Sequence, residues 1–303
     1  MLLLFGAGAS NGAGGIEGSP PPLGKDLFGE LFKRFTGTWG ALPKEISGVF
    51  EKSRHFEDGM EGLLDGKFGN LAALLKDMGI FFSGFRINSL EDNYYYKLAD
   101  KYLDNLKSKE LIIATTNYEC LIELAIQNLG SSFIHWESGE GIEILKLHGS
   151  CNFVQNTFQV SGKAIINQYF TMNIPLIHIS PADVEKNMKN NQIPPAMSLY
   201  IKDKDRFDFI GAHERNIMLS KFHDYLKEIE LAIVIGLRPN PEDHHIWDHL
   251  RDLRGRIFLV GGLEECKDWG RQYRPKDNDI WLSETFVSAF PAIINKIDIV
   301  LGN

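Results

Sequence analysis

The chain has 303 residues, of which 44% are hydrophobic, so it holds enough apolar material for a large buried core. Its 32 basic and 40 acidic residues give a formal net charge of -8, which predicts no general attraction to nucleic acid or anionic lipid. Every long apolar segment is interrupted by charges, and none approaches the ~20 residues that cross a bilayer. The apolar start at 1–5 is too short for a secretory signal, so we expect a cytoplasmic protein.

The cysteines and histidines predict no metal site. Cys120, Cys151 and Cys266 are widely separated and form no C-x-x-C pair, which argues against a disulfide framework and a zinc ribbon. His245 and His249 lie four residues apart on a predicted helix, but further ligands at matching spacing are missing. For these two histidines we expect a solvated or capping role.

Short apolar runs that stop at a glycine or a polar cluster recur along the chain, as buried parallel strands do. The predicted strands are Leu2 to Phe5, Leu111 to Ala114, Ile144 to Leu147, Leu231 to Ile235 and Ile257 to Val260. Helical periodicity lies between them, at Lys25 to Phe35, Asp92 to Leu106, Tyr118 to Leu129, Arg215 to Ile229 and Glu242 to Leu253. This alternation predicts an α/β fold with a doubly wound parallel sheet.

Two intervals interrupt the alternation. Residues 25–107 are too many for a single crossover and contain several amphipathic stretches broken by glycines, which predicts a helical module inserted after the first strand. Residues 152–211 mix β-branched and aromatic residues with four prolines and predict an irregular covering insertion. The main α/β domain then consists of residues 1–24 and 108–303.

A glycine-rich turn directly follows the first predicted strand. It consists of Gly6, Ala7, Gly8, Ala9 and Ser10. The two glycines permit positive φ and a close approach of backbone N–H groups to a phosphate. Asn11 stands where the dehydrogenase fingerprint has its third glycine, which disfavours hydride transfer. A tight strand exit without a ligand is the alternative interpretation.

The second and third strands end in the candidate catalytic residues. Thr115, Thr116 and Asn117 follow the second strand, and the Asn117 carboxamide suits the orientation of a water molecule or a ribose hydroxyl. Thr116 and Glu119 also fit a helix capping box. The third strand leads to His148, whose imidazole titrates near neutrality and suits a general base, while Gly149 leaves room for a substrate.

The fourth and fifth strands also end in small residues. Gly236, Leu237 and Arg238 follow the fourth strand, and Gly261 follows the fifth. Glycine at these positions lets backbone approach a ligand, and the alternative for the fifth strand is a simple turn.

Taken in order, the runs at 6–10, 115–119, 146–150 and 234–238 resemble motifs of the sirtuin superfamily, and the resemblance spans most of the chain. It implies a Rossmann-like NAD-binding domain in which residues 6–10 hold the NAD+ phosphates, Asn117 supports cleavage of the nicotinamide bond and His148 acts as the base. Contacts to NAD are expected from the remaining candidates, namely Thr115, Thr116, Gly236, Leu237, Arg238 and Gly261.

Departures from the usual sirtuin pattern resemble a narrower branch. The chain lacks four zinc-binding cysteines, and Glu119 and Arg238 replace an aspartate and a serine that are common in the family. These features resemble bacterial sirtuin-like proteins of antiviral defence, which hydrolyse NAD+ without zinc. The resemblance implies an NAD+ glycohydrolase that acts as a homo-oligomer or in a complex with a separate sensor protein.

Two other functions remain open from the sequence. A zinc-independent deacylase or ADP-ribosyltransferase requires a groove for an acyl-lysine or another acceptor. A non-catalytic sensor binds NAD+ or ADP-ribose and closes its helical module without turnover. In each case the same strand ends form the binding site.

Overall fold

A parallel β-sheet of seven strands forms the centre of the molecule. The computed structural model describes residues 1–53, 56–64, 71–156, 175–198, 210–240, 243–276 and 280–302. The strands are β1 (Leu2–Phe5), β2 (Ile112–Thr115), β3 (Phe133–Ile134), β4 (Ile142–Lys146), β5 (Phe153–Gln155), β6 (Leu176–His178), β7 (Leu231–Ile235), β8 (Arg256–Val260) and β9 (Trp281–Ser283). The order across the sheet is β3-β4-β2-β1-β7-β8-β9, and each neighbouring pair is parallel.

Helices cover both faces of this sheet. In chain order they are α1 (Ala7–Asn11), α2 (Gly24–Arg34), α3 (Lys44–Lys52), α4 (Phe56–Leu64), α5 (Leu71–Phe82), α6 (Tyr94–Lys101), α7 (Leu103–Lys107), α8 (Leu121–Asn128), α9 (Val184–Asn190), α10 (Ala212–Glu228), α11 (His244–Arg251), α12 (Leu263–Tyr273) and α13 (Phe286–Leu301). Helices α1, α6, α7, α8 and α13 contribute to the core on one face, and α10, α11 and α12 to the core on the other. This arrangement confirms the predicted Rossmann-like doubly wound fold.

The central strands are apolar along their whole length because both of their faces are buried. In β1, Leu3 and Phe5 join one core, whereas Leu2 and Leu4 join the opposite core. This burial on two sides explains why continuous apolar runs, and not alternating ones, predict these strands. The predictions for β1 and β7 have the observed bounds.

The short strands β3 and β9 at the two edges of the sheet were not predicted. β3 contains two residues and β9 three, and neither is fully buried. A strand of that length carries no readable periodicity, so its pairing depends on the neighbour that the fold provides.

The predicted helical interval contains two groups of helices. Helices α2 to α5 surround a separate apolar core, in which Phe28 stacks on Phe50 with ring centroids 4.5 Å apart. Helices α6 and α7 instead bury Leu98, Tyr102 and Leu106 in a core against the sheet. The inserted helical module is therefore confirmed as an element of the fold, while the domain boundaries at 24 and 107 stay a prediction.

The predicted covering insertion begins with a small antiparallel pair. Strands β5 and β6 pair in this way, and α9 follows them and packs beside α5. Residues 157–174 and 199–209 of this insertion lie outside the described residues. Within the described part of the chain, no helix is both long and apolar enough to span a bilayer.

The start of α1, directly after β1, packs against the turn that follows β7. Gly8 N–H donates to Gly236 O at 2.9 Å, and Gly236 has a φ of 66°. A Cβ at Gly236 would lie 2.0 Å from the nitrogen of Ala9, and a Cβ at Gly6 would lie 2.7 Å from Gly236 O. Glycine is therefore required here by contact between two segments of backbone.

Gly236→Ala should lower the free energy of unfolding by about 1–3 kcal/mol, because alanine disfavours this φ and its methyl group meets the turn after β1. Chemical denaturation with urea measures the change. The matched control is Gly29→Ala in α2, where a Cβ meets nothing within 4 Å and alanine should stabilise the helix by about 0.5–1 kcal/mol. Equal stability of the two variants would contradict the packing argument.

Candidate active site

The loops that carry the candidate residues begin after one row of paired residues, which runs across five neighbouring strands. Phe5 of β1 pairs with Thr115 of β2 on one side and with Ile235 of β7 on the other. Thr115 pairs in turn with Lys146 of β4, and Ile235 with Val260 of β8. The loops after all five strands therefore begin side by side at the carboxyl edge of the sheet, where open α/β folds bind ligands.

Asn117 is held against the glycine-rich turn. Its Nδ2 donates to Gly6 O at 3.0 Å and to Ser10 Oγ at 2.8 Å. Its own backbone N–H donates to Thr115 Oγ1 at 3.0 Å. Because both amide hydrogens are directed to the protein, the side-chain oxygen is the atom that can accept a hydrogen bond from water or a sugar hydroxyl.

Ser10 is the centre of a buried polar network. Its hydroxyl donates to the Glu119 carboxylate and accepts from Asn117 and from the Tyr95 hydroxyl, which lies at 2.8 Å. The exposed fraction of Ser10 is 1%, so this hydroxyl orients other side chains and does not face solvent. Ser10 was predicted as a phosphate contact, whereas its observed contacts are with protein.

Glu119 belongs to this network and not to the predicted capping box. Helix α8 begins at Leu121 with Cys120 as its N-cap, and Glu119 accepts the N–H of Leu121 at 3.1 Å. Burial raises the pKa of Glu119, against the opposing effects of the nearby Lys146 ammonium and the Ser10 hydrogen bond. The predicted capping box is wrong because α8 begins five residues after Thr116, although Glu119 still accepts the first N–H of this helix.

A buried ion pair lies beneath the two candidate loops. Lys146 and Glu123 are 0% and 2% exposed, and the Lys146 Nζ lies 3.1 Å from Glu123 Oε1. The same Nζ donates to the backbone oxygen of Glu119. Burial acts most strongly and lowers the pKa of Lys146, but the coulombic effects of Glu123, Cys120, Glu119 and Cys151 together outweigh it, so the pKa lies above its usual value. A lysine inside an apolar strand is a signal that the sequence carries and that the prediction did not use.

His148 contacts a second histidine on the other side of the site. Its Nε2 lies 3.2 Å from Nε2 of His245, the second residue of α11. His148 is 9% exposed. The predicted solvated or capping role of His245 is therefore wrong, because the start of α11 brings its ring to His148. His249 stacks on His223, with ring centroids 3.5 Å apart.

Asn117 and His148 follow neighbouring strands but reach helices on opposite faces of the sheet. The Asn117 amide contacts Ser10 of α1, which contributes to one core, whereas His148 contacts His245 of α11, which contributes to the other. Adjacent parallel strands lie about 4.8 Å apart, so both residues border the same edge. Their convergence on one ribose stays a prediction.

A segment of backbone at 196–198 covers the loop after β4. Ser198 N–H donates to His148 O at 2.8 Å, and Ser150 N–H donates to Ala196 O at 2.9 Å. Gly149 has a φ of 77°, and a Cβ there would lie 2.0 Å from Ala196 O. The prediction that Gly149 leaves room for a substrate is therefore wrong. The cavity beside it, toward α10, measures ≈ 10 Å³, which is space for at most one water molecule.

The other predicted cofactor contacts have roles in the protein itself. Thr115 Oγ1 donates to Phe5 O at 3.0 Å, and Thr116 N–H donates to the same oxygen. Gly261 N–H donates to Ser283 O, also at 3.0 Å. Several candidates border the turns already described, and these are Ala7 in the exposed part of the first turn, Ala9 in the core, and Leu237 and Arg238 after Gly236.

In the described part of the chain, three groups near this edge can donate or accept hydrogen bonds or protons. They are the oriented carboxamide of Asn117, the imidazoles of His148 and His245, and the buried carboxylate of Glu119. No cluster of three or more His, Cys, Asp or Glu side chains suited to a metal ion occurs among the residues that the structure describes. No family model and no curated protein matches the sequence.

Lys146→Met should lower the free energy of unfolding by about 3–5 kcal/mol, because it leaves the carboxylate of Glu123 buried without its cation. Adding Glu123→Met to this variant should recover part of the loss. The matched control is Lys101→Met, which breaks a partly exposed ion pair with Asp298 and should cost less than about 1 kcal/mol. Urea unfolding measures all three variants, and similar losses for Lys146→Met and Lys101→Met would contradict the assignment.

Proposed function

We propose that this protein is an NAD+ glycohydrolase, which converts NAD+ and water to nicotinamide and ADP-ribose. The observation that carries the proposal is the placement of Asn117, whose carboxamide is held by Gly6 and Ser10 at the strand edge where the His148 loop also begins. This placement joins the glycine-rich turn to the predicted catalytic asparagine. It supports the function that the sequence motifs imply.

In this proposal NAD+ lies extended along the carboxyl edge of the sheet. The pyrophosphate lies at the exposed part of the first turn, near Ala7 and Gly8, and the nicotinamide ribose lies at the loops of Asn117 and His148. Because the N–H groups of Gly6, Gly8 and Ala9 already donate to Ile235 O, Gly236 O and Gly6 O, the phosphates must be held by donors other than these three. Arg238, which follows the facing turn, is a suitable cation for this role.

The reaction breaks the bond between ribose C1′ and the pyridinium nitrogen. Nicotinamide leaves with the bonding electrons and becomes neutral, so it needs no proton from the protein. The Asn117 oxygen accepts a hydrogen bond from the attacking water or a ribose hydroxyl and fixes its position. The water oxygen bonds to C1′, and His148 accepts the proton that the water loses.

The biological role follows from the same resemblance. We propose that the protein acts in the cytoplasm as an effector of antiviral defence, as a homo-oligomer or with a separate sensor protein. Cells that express the chain together with its genomic neighbour should lose NAD+ after phage infection. Cells that express His148→Ala with the same partner should keep their NAD+, as mass spectrometry of cell extracts would measure.

Purified protein incubated with NAD+, with and without its genomic neighbour, should release nicotinamide and free ADP-ribose in equal amounts. His148→Ala should reduce the rate by about 10²–10⁴-fold, because it removes a positioned base. Asn117→Ala should also be strongly impaired. Mass spectrometry of the products measures the reaction, and thermal unfolding establishes that each variant is folded.

The matched control is His244→Ala, which removes an exposed imidazole from the first position of α11 and should keep the wild-type rate. Undiminished NAD+ consumption by folded His148→Ala or Asn117→Ala would contradict the assignment of these residues. ADP-ribose attached to protein would indicate a transferase, and NAD+ binding without any turnover, even with the partner present, would indicate a sensor.

A further inference from the structure

The contact between His148 and His245 has a chemistry of its own. The two Nε2 atoms lie 3.2 Å apart, which is hydrogen-bond distance, and the ring centroids are 5.3 Å apart. We propose that His245 is a positioning residue for His148, and that the two imidazoles share one proton between their Nε2 atoms. This inference rests on the proposed function, in which His148 is the base.

The geometry restricts where the protons lie. A hydrogen bond between two imidazole nitrogens needs one N–H and one lone pair, so the pair holds a single proton on the line between the Nε2 atoms. For His148 to accept a proton from water at Nδ1, its Nε2 must carry the shared proton and donate it to His245. In this proposal His245 accepts the shared proton and so favours the tautomer of His148 that functions as a base through Nδ1.

The position of His245 is determined by two helices. Its backbone oxygen accepts a hydrogen bond from Nε2 of His223 in α10, at 2.8 Å. The ring of His223 stacks on His249, one turn after His245 in α11. Burial, followed by the neighbouring His223, lowers the pKa of His249, against the opposing effects of Asp248 and Asp252. The titratable groups behind the pair therefore include two further imidazoles, of which His249 favours the neutral form at neutral pH.

In the proposed reaction His148 becomes positively charged, and the contact with His245 stabilises that charge. When His148 accepts a proton at Nδ1, its Nε2–H becomes a donor from a cation to a neutral acceptor, and such hydrogen bonds are stronger than neutral ones. His245 thus stabilises the imidazolium form of His148, as a carboxylate does in a catalytic triad. A second proton on the pair would place two cations 3.2 Å apart, which like-charge repulsion disfavours.

The test compares wild type with His245→Phe, which keeps an aromatic ring without a nitrogen, and with His245→Gln, which keeps a hydrogen-bonding group. His245→Phe should lower kcat for NAD+ hydrolysis at least ~10-fold with little change in KM, because the base loses its orientation. The acid limb of its pH–rate profile should move to lower pH. The imidazolium form of His148 loses the hydrogen bond to His245 in this variant and is therefore less stable. His245→Gln should recover part of kcat, and His244→Ala should match wild type.

A second measurement keeps the inference independent of turnover. Nitrogen-15 NMR of the histidine rings should show one dominant tautomer of His148 in wild type at pH 8 and a different tautomer distribution in folded His245→Phe. If neither wild type nor any variant consumes NAD+, the proposed function fails. The NMR comparison still tests the contact between His148 and His245 in that case. Unchanged His148 resonances in His245→Phe, or kinetics and a pH profile equal to those of His244→Ala, would overturn the inference.

Discussion

The parallel pairing of β1 with β2 and β7 places Phe5, Thr115 and Ile235 in one row, and the candidate site is built outward from that row. Each loop with a candidate group starts at the residue directly after this row. Because side chains alternate between faces, a slip of one residue in either pairing would turn every following group to the wrong side. The backbone contact of Gly6 and Gly8 with Gly236 requires this register and thereby helps to hold the site together.

Strand register places the loops, and buried polar groups under the edge of the sheet then orient the side chain of Asn117. Ser10, Glu119 and Asn117 come from two strand ends, and their hydrogen bonds determine one orientation of the carboxamide. Lys146 adds a cation where Glu119 and Glu123 would otherwise concentrate negative charge. Buried polar networks are favourable only when their members are satisfied, so the orientation of Asn117 depends on residues that would not touch a ligand.

The fold could be predicted from the sequence more fully than the site. Long apolar runs identify the central strands because burial on two faces needs them, and the edge rule then places Asn117 and His148 on neighbouring loops. The contacts Ser10 to Glu119 and His148 to His245 join residues about a hundred positions apart, and local patterns carry no signal for such pairs. The local pattern predicted a capping box for Glu119 and room for a substrate at Gly149. In both cases contacts between residues remote in the chain override the local pattern.

The cover over the His148 loop is made by main-chain atoms. Ala196 and Ser198 bond the backbones of Ser150 and His148, and Tyr118 donates its hydroxyl to the oxygen of Ser198 at 2.6 Å. A peptide group offers the same donor and acceptor whatever side chain it carries. Evolution can therefore vary the identity of residues 196 and 198 within the available space, while insertions or deletions there would break the alignment of donors and acceptors.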